Sequence, residues 1–188
     1  MAEVAPGQVW RRLYLSVYPK PLGFGYGSSR FSDPRVDRPE PERYGVIYLG
    51  SSLRVCFLEA VLRDRRNAAL GEIPLPYAEL QSWNCADIGI SAPLKLVDLR
   101  DDGPVRMGVP TNAVRASTHR WGQAWALAFW SHVETPDGII YPSRLNGEAN
   151  VALYDRALPK IAALSVRPLL DCRAEMTEVL RTFRIAVL

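Results

Sequence analysis

The order of extended and helical segments is the feature that most restricts the fold of this chain. Extended segments are predicted at 8–18, 44–49, 94–99, 139–141, 151–154 and 182–188, with a further one near 79–83. Helical patterns cover only 53–66 and 117–131. Because strands and helices do not alternate with a regular β-α-β period, the pattern predicts an α+β domain. With 188 residues, of which 48% are hydrophobic, we expect one domain over residues 1–188.

A long loop between the first two predicted strands contains a candidate functional residue. Residues 23–42 are so rich in Gly, Pro, Ser and charge that a packed element is not expected there. Long loops inside compact domains are often functional. Arg30 lies in this loop, and its alternative role is that of a solvated surface residue or ion-pair partner.

The first predicted helix carries an acid at an unusual position. Ser52 is the expected N-cap, and the apolar stripe is Val55, Leu58, Val61 and Leu62. Glu59 borders this stripe instead of the solvent face. A salt bridge to Arg63 four residues later is the structural alternative, worth only a few tenths of a kcal/mol when exposed.

The second predicted helix carries an aromatic stripe. Trp121, Trp125, Ala128 and Phe129 fall on one helical face over residues 117–131. Such a stripe is more typical of a packed core than of a cofactor platform.

Charge and composition argue against several classes of function. The net charge of +3 is small and dispersed, which does not indicate direct nucleic-acid binding. We find neither a signal peptide nor an apolar run of the ~20 residues that span a bilayer, so we expect a cytoplasmic protein without membrane contact.

The cysteines and histidines do not indicate a metal site or a hydrolytic triad. Cys56, Cys85 and Cys172 are odd in number and far apart, which predicts reduced structural thiols. His119 and His132, the two histidines, are expected to point in different directions from one helix. We therefore expect no metal.

Several separated segments together resemble the RES domain, the toxin of a bacterial toxin–antitoxin pair. The resemblance lies in residues 27–34, 44–51, 58–60 and 138–144, followed by Asn150, within a match from about Val9 to about Asp155. The Arg, Glu and Ser for which the family is named correspond here to Arg30, Glu59 and Ser143. The resemblance implies the ADP-ribosyltransferase fold, a bent, split β-sheet with flanking helices that opens around NAD.

The chemistry of NAD suggests a role for each candidate residue. A guanidinium offers forked donors to phosphate, so Arg30 is expected to bind the pyrophosphate. Tyr48 is the candidate for stacking on nicotinamide, with Phe31 as a second wall. Glu59 would stabilise the oxocarbenium-like ribose, and Ser143 would orient either the ribose or Glu59. From the residues alone, Tyr48 could equally be a core residue and Ser143 an ordinary strand-end residue.

Three functions remain open from the sequence. The first is an NAD-degrading toxin, a glycohydrolase or, with phosphate as acceptor, a phosphorylase. The second is an ADP-ribosyltransferase that modifies a protein, and the third is an inactive nucleotide-binding module. The resemblance also implies inhibition by a small Xre-like DNA-binding antitoxin. Segments 71–93 and 101–115 carry no assigned motif and are candidates for substrate lids or antitoxin docking.

Overall fold

The protein folds into a mixed α+β domain in a computed structural model that describes residues 1–66, 70–116 and 118–188. The strands over these residues are β1 (Ala2–Val4), β2 (Val9–Leu15), β3 (Val46–Gly50), β4 (Ile73–Leu75), β5 (Trp83–Ile90), β6 (Leu94–Asp98), β7 (Gly138–Pro142), β8 (Ala149–Tyr154), β9 (Ile161–Pro168) and β10 (Ile185–Val187). The α-helices are α1 (Leu53–Phe57), α2 (Tyr77–Gln81), α3 (Gly103–Arg106), α4 (Thr111–Arg115), α5 (Arg120–Trp130) and α6 (Arg173–Thr182). In this part of the chain, no helix combines the length and apolarity needed to cross a bilayer.

Eight of these strands form one sheet that is split near its middle. The strand order is β1-β6-β7-β8-β3-β2-β5-β9, and every neighbouring pair is antiparallel except β6 and β7. Strand β3 pairs with β8 through five residues, and β2 pairs with β5 through seven. Between β2 and β3, only Arg11 and Gly50 pair. The sheet therefore opens at this junction, as expected of the bent, split sheet.

The first helical region changes its hydrogen-bonding pattern at the candidate acid. Ser52 caps α1 as predicted, because its Oγ accepts a hydrogen bond from the Val55 amide at 3.1 Å. The α-helix ends at Phe57, a π-helical turn follows over Leu58–Leu62, and a 3₁₀ turn covers Arg63–Arg66. The single helix predicted over 53–66 is thus three short helical pieces. The predicted buried stripe is confirmed, since Val55, Leu58, Val61 and Leu62 are all buried.

Two predicted strands were partly wrong. The segment near 79–83 is mostly the helix α2, and the strand β5 begins only at Trp83. The last strand, predicted over 182–188, is shortened to β10, because α6 continues to Thr182. Strand β10 pairs in parallel with β4, a non-local partner that a local pattern does not reveal.

The aromatic stripe predicted on the second helix was partly wrong. Phe129 is buried and Trp125 packs against the core, as predicted, but the other two members of the stripe are exposed. Helix α5 begins at Arg120, and the predicted first residue, Ser117, lies outside the described residues. Trp121 is 51% exposed and Ala128 is exposed, whereas Gly122, Ala126 and Phe129 are buried. The helix packs through its small residues, because Gly122 must approach the backbone of the neighbouring loop closely.

The cysteines are buried and free, as predicted. Burial raises the pKa of the Cys56 thiol to about 12, and it does the same for Cys85. The thiols of Cys56 and Cys85 are therefore protonated at neutral pH and unreactive as nucleophiles.

Candidate active site

A cleft of about 470 Å³ lies at the split of the sheet. Its walls come from the loop before β3, from β3 itself, from the π-helical turn, from the start of α5 and from the end of β7. This volume is in the range of small-molecule sites. Residues that are far apart in sequence therefore meet in one cavity, among them Arg30, Tyr48 and Glu59.

Glu59 in the cleft wall forms a hydrogen-bonded pair with Ser143 behind it. Ser143 Oγ donates to Glu59 Oε1 at 2.7 Å and accepts from the Leu145 amide at 3.1 Å. Asn150 Nδ2 approaches the same carboxylate oxygen at 3.4 Å. Ser143 is only 3% exposed and is not part of the cleft wall, whereas Glu59 is. Of its two expected roles, the geometry therefore fits orientation of Glu59 rather than contact with a ribose.

The π-helical turn determines where Glu59 points. Single π-helical turns are rare and occur frequently at functional sites. The turn ends at Arg63, a non-glycine residue with φ of 45°, which is a costly backbone conformation. Arg63 also lines the cleft, so the strained residue and the acid border the same cavity.

Tyr48 uses its hydroxyl to hold the loop that carries Arg30. The oxygen accepts a hydrogen bond from the Phe31 amide at 2.9 Å and lies 2.8 Å from Ser29 Oγ. Burial raises the pKa of Tyr48, so the phenol is protonated at neutral pH. The ring is half-buried and forms part of the cleft wall. Tyr48 is thus placed where it could contact a flat ligand while fixing the loop.

Arg30 is held by the polypeptide that precedes α5. Its Nη1 donates to the Ala116 carbonyl at 2.6 Å. A Cβ at Gly122 would lie 2.5 Å from the Arg30 carbonyl oxygen, so the helix approaches the loop as closely as glycine permits. Gln123 Nε2 donates to the Ser29 carbonyl at 3.0 Å and lies near the hydroxyls of Ser28 and Ser32.

Phe31 does not lie in the cleft wall. Its side chain is fully buried at 0% exposure and packs edge to face against Tyr141, with ring centroids 4.9 Å apart. Tyr141 in turn lines the cleft. Phe31 is therefore not the second wall for the nicotinamide that the sequence predicted. Its side chain points into the core and supports Tyr141 from behind.

The cleft is strongly basic apart from Glu59. Arg30, Arg63 and Arg144 line it, and His119 lies among them. Burial, together with the charges of Arg30, Arg144 and Arg63, lowers the pKa of His119. The imidazole is therefore neutral at neutral pH while the guanidiniums stay charged. A cavity with one acid and three arginines favours an anionic ligand.

Over residues 1–66, 70–116 and 118–188, no group of three or more His, Cys, Asp and Glu side chains is arranged to hold a metal ion. The segments without an assigned motif contain regular structure, and their proposed roles as substrate lids or antitoxin-docking surfaces stay predictions. Residues 71–93 include β4, α2 and β5, and Val114 of α4 borders the cleft.

A family model described as the RES domain matches residues 9–175. The chain belongs to the RES domain family. A relative named "Probable toxin y4kH", from Sinorhizobium fredii (strain NBRC 101917 / NGR234), is 51% identical over 126 residues, which is 67% of this chain and 99% of the relative. The family expected from the sequence is therefore confirmed.

The fold is shared with a solved toxin–antitoxin structure. A chain of the M. tuberculosis MbcT-MbcA toxin-antitoxin complex matches with a TM-score of 0.64 and 15% identity, over 89% of each chain. At this identity the likeness concerns the fold alone. It confirms the α+β fold with a curled, ADP-ribosyltransferase-like sheet and flanking helices.

Sequence reasoning about this RES domain missed three residues around the cleft. His119 was set aside because one helix would have separated the two histidines, but it lies before α5 and lines the cleft. Asn150, which belongs to the resemblance but was given no role in the site, approaches Glu59. Gln123, which holds the Arg30 loop, carried no sequence signal because its partners are over ninety residues away.

Proposed function

We propose that this chain is the toxin of a bacterial toxin–antitoxin pair and that it cleaves the bond between nicotinamide and ribose in NAD. The observation that carries the proposal is the carboxylate of Glu59, fixed by Ser143 in a cleft that is also lined by three arginines. The relative named as a probable toxin, and the toxin–antitoxin complex that shares the fold, support the biological role.

The charged groups of the cleft match the charged parts of NAD. The guanidiniums of Arg30, Arg63 and Arg144 can donate to the pyrophosphate. Glu59 can face the positive charge that develops on the ribose as nicotinamide departs. A preorganised negative charge stabilises this oxocarbenium-like transition state more than the ground state. The ring of Tyr48 in the cleft wall can stack on the nicotinamide.

The acceptor of the ADP-ribosyl group defines the alternatives. Water gives an NAD glycohydrolase and phosphate gives an NAD phosphorylase. A protein side chain would give an ADP-ribosyltransferase, which needs the same cleavage of the nicotinamide bond. Because all three acceptors need this cleavage, the pairing of Glu59 with Ser143 serves each of them, and the identity of the products distinguishes them. An inactive module is disfavoured by the intact pairing of Glu59 with Ser143.

A partner protein follows from the proposed activity. An enzyme that empties the cytoplasmic NAD pool must be inhibited in its own cell. We propose that a small Xre-like DNA-binding antitoxin covers the cleft. Occlusion of the entrance beside Arg30 and Glu59 would be sufficient to exclude NAD.

The decisive experiment is incubation of the purified protein with NAD, with and without inorganic phosphate, followed by identification of the products. We expect free nicotinamide, with ADP-ribose from hydrolysis or its 1″-phosphate from phosphorolysis. Glu59→Gln should bind NAD but lose at least about a hundredfold in rate, since it keeps the shape and removes the charge.

Two further variants complete this test. Arg30→Ala should weaken NAD binding as well as turnover, because it removes a phosphate donor. Glu134→Gln is the matched control, since Glu134 pairs with Lys95 outside the cleft and should keep the wild-type rate. Stable NAD in the presence of folded wild-type protein would refute the proposed reaction.

A further inference from the structure

His119 is a polar side chain in the cleft that the proposed cleavage does not yet use. It directly precedes α5, is half-buried and lines the same cavity as Arg30 and Glu59. Within the part of the chain that the structure describes, its imidazole has no hydrogen-bond partner. Half-buried polar groups without a protein partner are commonly satisfied by water or by a ligand.

The charged groups that act on His119 are basic. Arg30 faces it from the loop before β3, Arg63 from the end of the π-helical turn and Arg144 from the loop after β7. On its own helix the neighbour Arg120 lies over the ring of Trp121, with 6.0 Å between the guanidinium carbon and the ring centroid. Glu59 is the acid that lines the cleft in the described part of the chain.

A neutral imidazole serves a different purpose here from a fourth guanidinium. It offers one N–H donor and one acceptor, so it can bind an anionic oxygen without adding to the repulsion among the arginines. It can also gain a proton when a negative charge arrives beside it, which a guanidinium cannot.

We propose that His119 is a substrate-contacting residue that binds a phosphate oxygen of the dinucleotide and takes up a proton when the substrate binds. The proposal rests on the proposed function, because it assigns a residue to the pyrophosphate of NAD. It separates the roles of the basic residues: the arginines supply constant charge, and His119 supplies charge only in the complex.

The sign of the resulting pH dependence follows from linkage. In the free protein, burial and the arginines lower the pKa of His119. A bound phosphate raises the pKa toward or above the ordinary value, so the complex holds more protons than the free protein. NAD affinity should therefore rise as the pH falls through the pKa of the complex and level off below the pKa of the free protein. Each unit by which the phosphate raises the pKa corresponds to about tenfold in affinity.

The test measures NAD binding in a protein that cannot turn NAD over. The dissociation constant of NAD is determined by calorimetry between about pH 5 and about pH 8 in the Glu59→Gln protein, which also removes the cleft acid from the titration. We expect binding to tighten about tenfold toward the acidic end. In the double variant with His119→Gln, the amide supplies the same hydrogen bond but cannot take up a proton. The NAD affinity at about pH 8 should therefore stay within about twofold of that of the Glu59→Gln protein, and the dependence of affinity on pH should vanish.

His119→Ala distinguishes a contact from a structural role. In the same Glu59→Gln background, the His119→Ala protein should bind NAD more weakly at about pH 8, and its NAD affinity should no longer depend on pH. Its thermal unfolding midpoint should be unchanged. A slope that persists in the His119→Gln variant, or unchanged affinity in the His119→Ala variant, would overturn the assignment. A folded Glu59→Gln protein that binds no NAD at any pH would instead refute the proposed function itself.

Discussion

At the scale of single residues, Ser143 is best understood as a support for Glu59. Its hydroxyl donates to the carboxylate, accepts from the Leu145 amide and is excluded from the cleft. Because the hydroxyl both donates and accepts a hydrogen bond, it cannot rotate freely. It therefore holds the Glu59 carboxylate in one favoured orientation. A fixed acid costs no reorganisation when charge develops in the transition state.

Ser143→Ala should lower kcat about 10- to 100-fold and change KM little, because a hydrogen bond to a charged group contributes about 1.5–3 kcal/mol. Steady-state cleavage of NAD measures both constants. Ser165→Ala is a matched control, since Ser165 Oγ donates to Asp87 Oδ2 at the same 2.7 Å distance away from the cleft. A selective rise in KM would instead place Ser143 on the substrate.

Asp33 anchors the long loop that carries Arg30. Its carboxylate is buried and accepts hydrogen bonds from the amides of Arg35 and Tyr44 and from the Arg35 guanidinium. Burial by itself raises the pKa of Asp33, but the hydrogen bonds from Arg35 and Tyr44 and the charge of Arg35 outweigh it, so the net pKa is lowered. Its stabilisation is therefore present above the unfolded-state pKa of about 4 and is lost as the pH falls through the lower folded-state value.

Asp33→Asn should destabilise the protein by about 2–4 kcal/mol at neutral pH, because it leaves buried donors without a charged acceptor. Urea unfolding at about pH 7 and about pH 3 measures the effect, and the difference from wild type should shrink in acid. Asp102→Asn is the control, since Asp102 makes no side-chain cap hydrogen bond to α3. An equal loss of unfolding free energy at both pH values would show that the ionised Asp33 carboxylate is not the source of the stabilisation.

At the scale of elements, α5 and the Arg30 loop form one unit through a close backbone contact. Helix α5 has glycine at its third residue, and a Cβ there would meet the carbonyl oxygens of Arg30 and Ala113 at 2.5 and 2.9 Å. Gln123 reinforces this contact by donating to the Ser29 carbonyl. The position of Arg30 in the cleft therefore depends on a helix that begins ninety residues later.

Gly122→Ala should displace the loop and raise the dissociation constant of NAD at least several-fold, with a loss of about 1–3 kcal/mol in folding free energy. Binding to the Glu59→Gln background and chemical unfolding measure the two effects. Gly25→Ala is the control, because no atom lies within 4 Å of a Cβ at Gly25. Unchanged affinity would show that the loop does not depend on the contact.

At the scale of the whole molecule, the split sheet makes room for a cleft lined by one acid and three arginines. The opening exists because β2 and β3 share one residue pair, whereas β3 pairs with β8 through five residues and β2 pairs with β5 through seven. The proposed toxicity depends on this cleft being open to the NAD pool.

Expression of this chain by itself in a bacterial host should arrest growth and deplete NAD, because the proposed site has no inhibitory partner there. Expression of Glu59→Gln to the same level should do neither. Culture density and extracted NAD measure the outcome, and the Glu134→Gln protein should be as toxic as wild type. Normal growth and an undiminished NAD pool with folded wild-type protein would contradict the toxin proposal.

The sequence by itself determined the local and amphipathic features of this protein. The cap at Ser52, the buried stripe of the first helical region, the central strands and the α+β class follow from hydrophobic period and turn chemistry, which act over a few residues. The separated motif of Arg30, Glu59 and Ser143 also identified the family, because its residues keep their order along the chain.

Only the tertiary structure decided which of these residues share the cleft and in what role. Phe31 lies in the core, whereas His119 lines the cavity. The buried face of α5 differs from the predicted one, because Gly122 contacts the Arg30 backbone. The π-helical turn at Glu59 and the pairing of β10 with β4 likewise depend on partners distant in sequence. Such contacts are set by packing and by buried hydrogen bonds across the fold, and a local pattern carries no information about them.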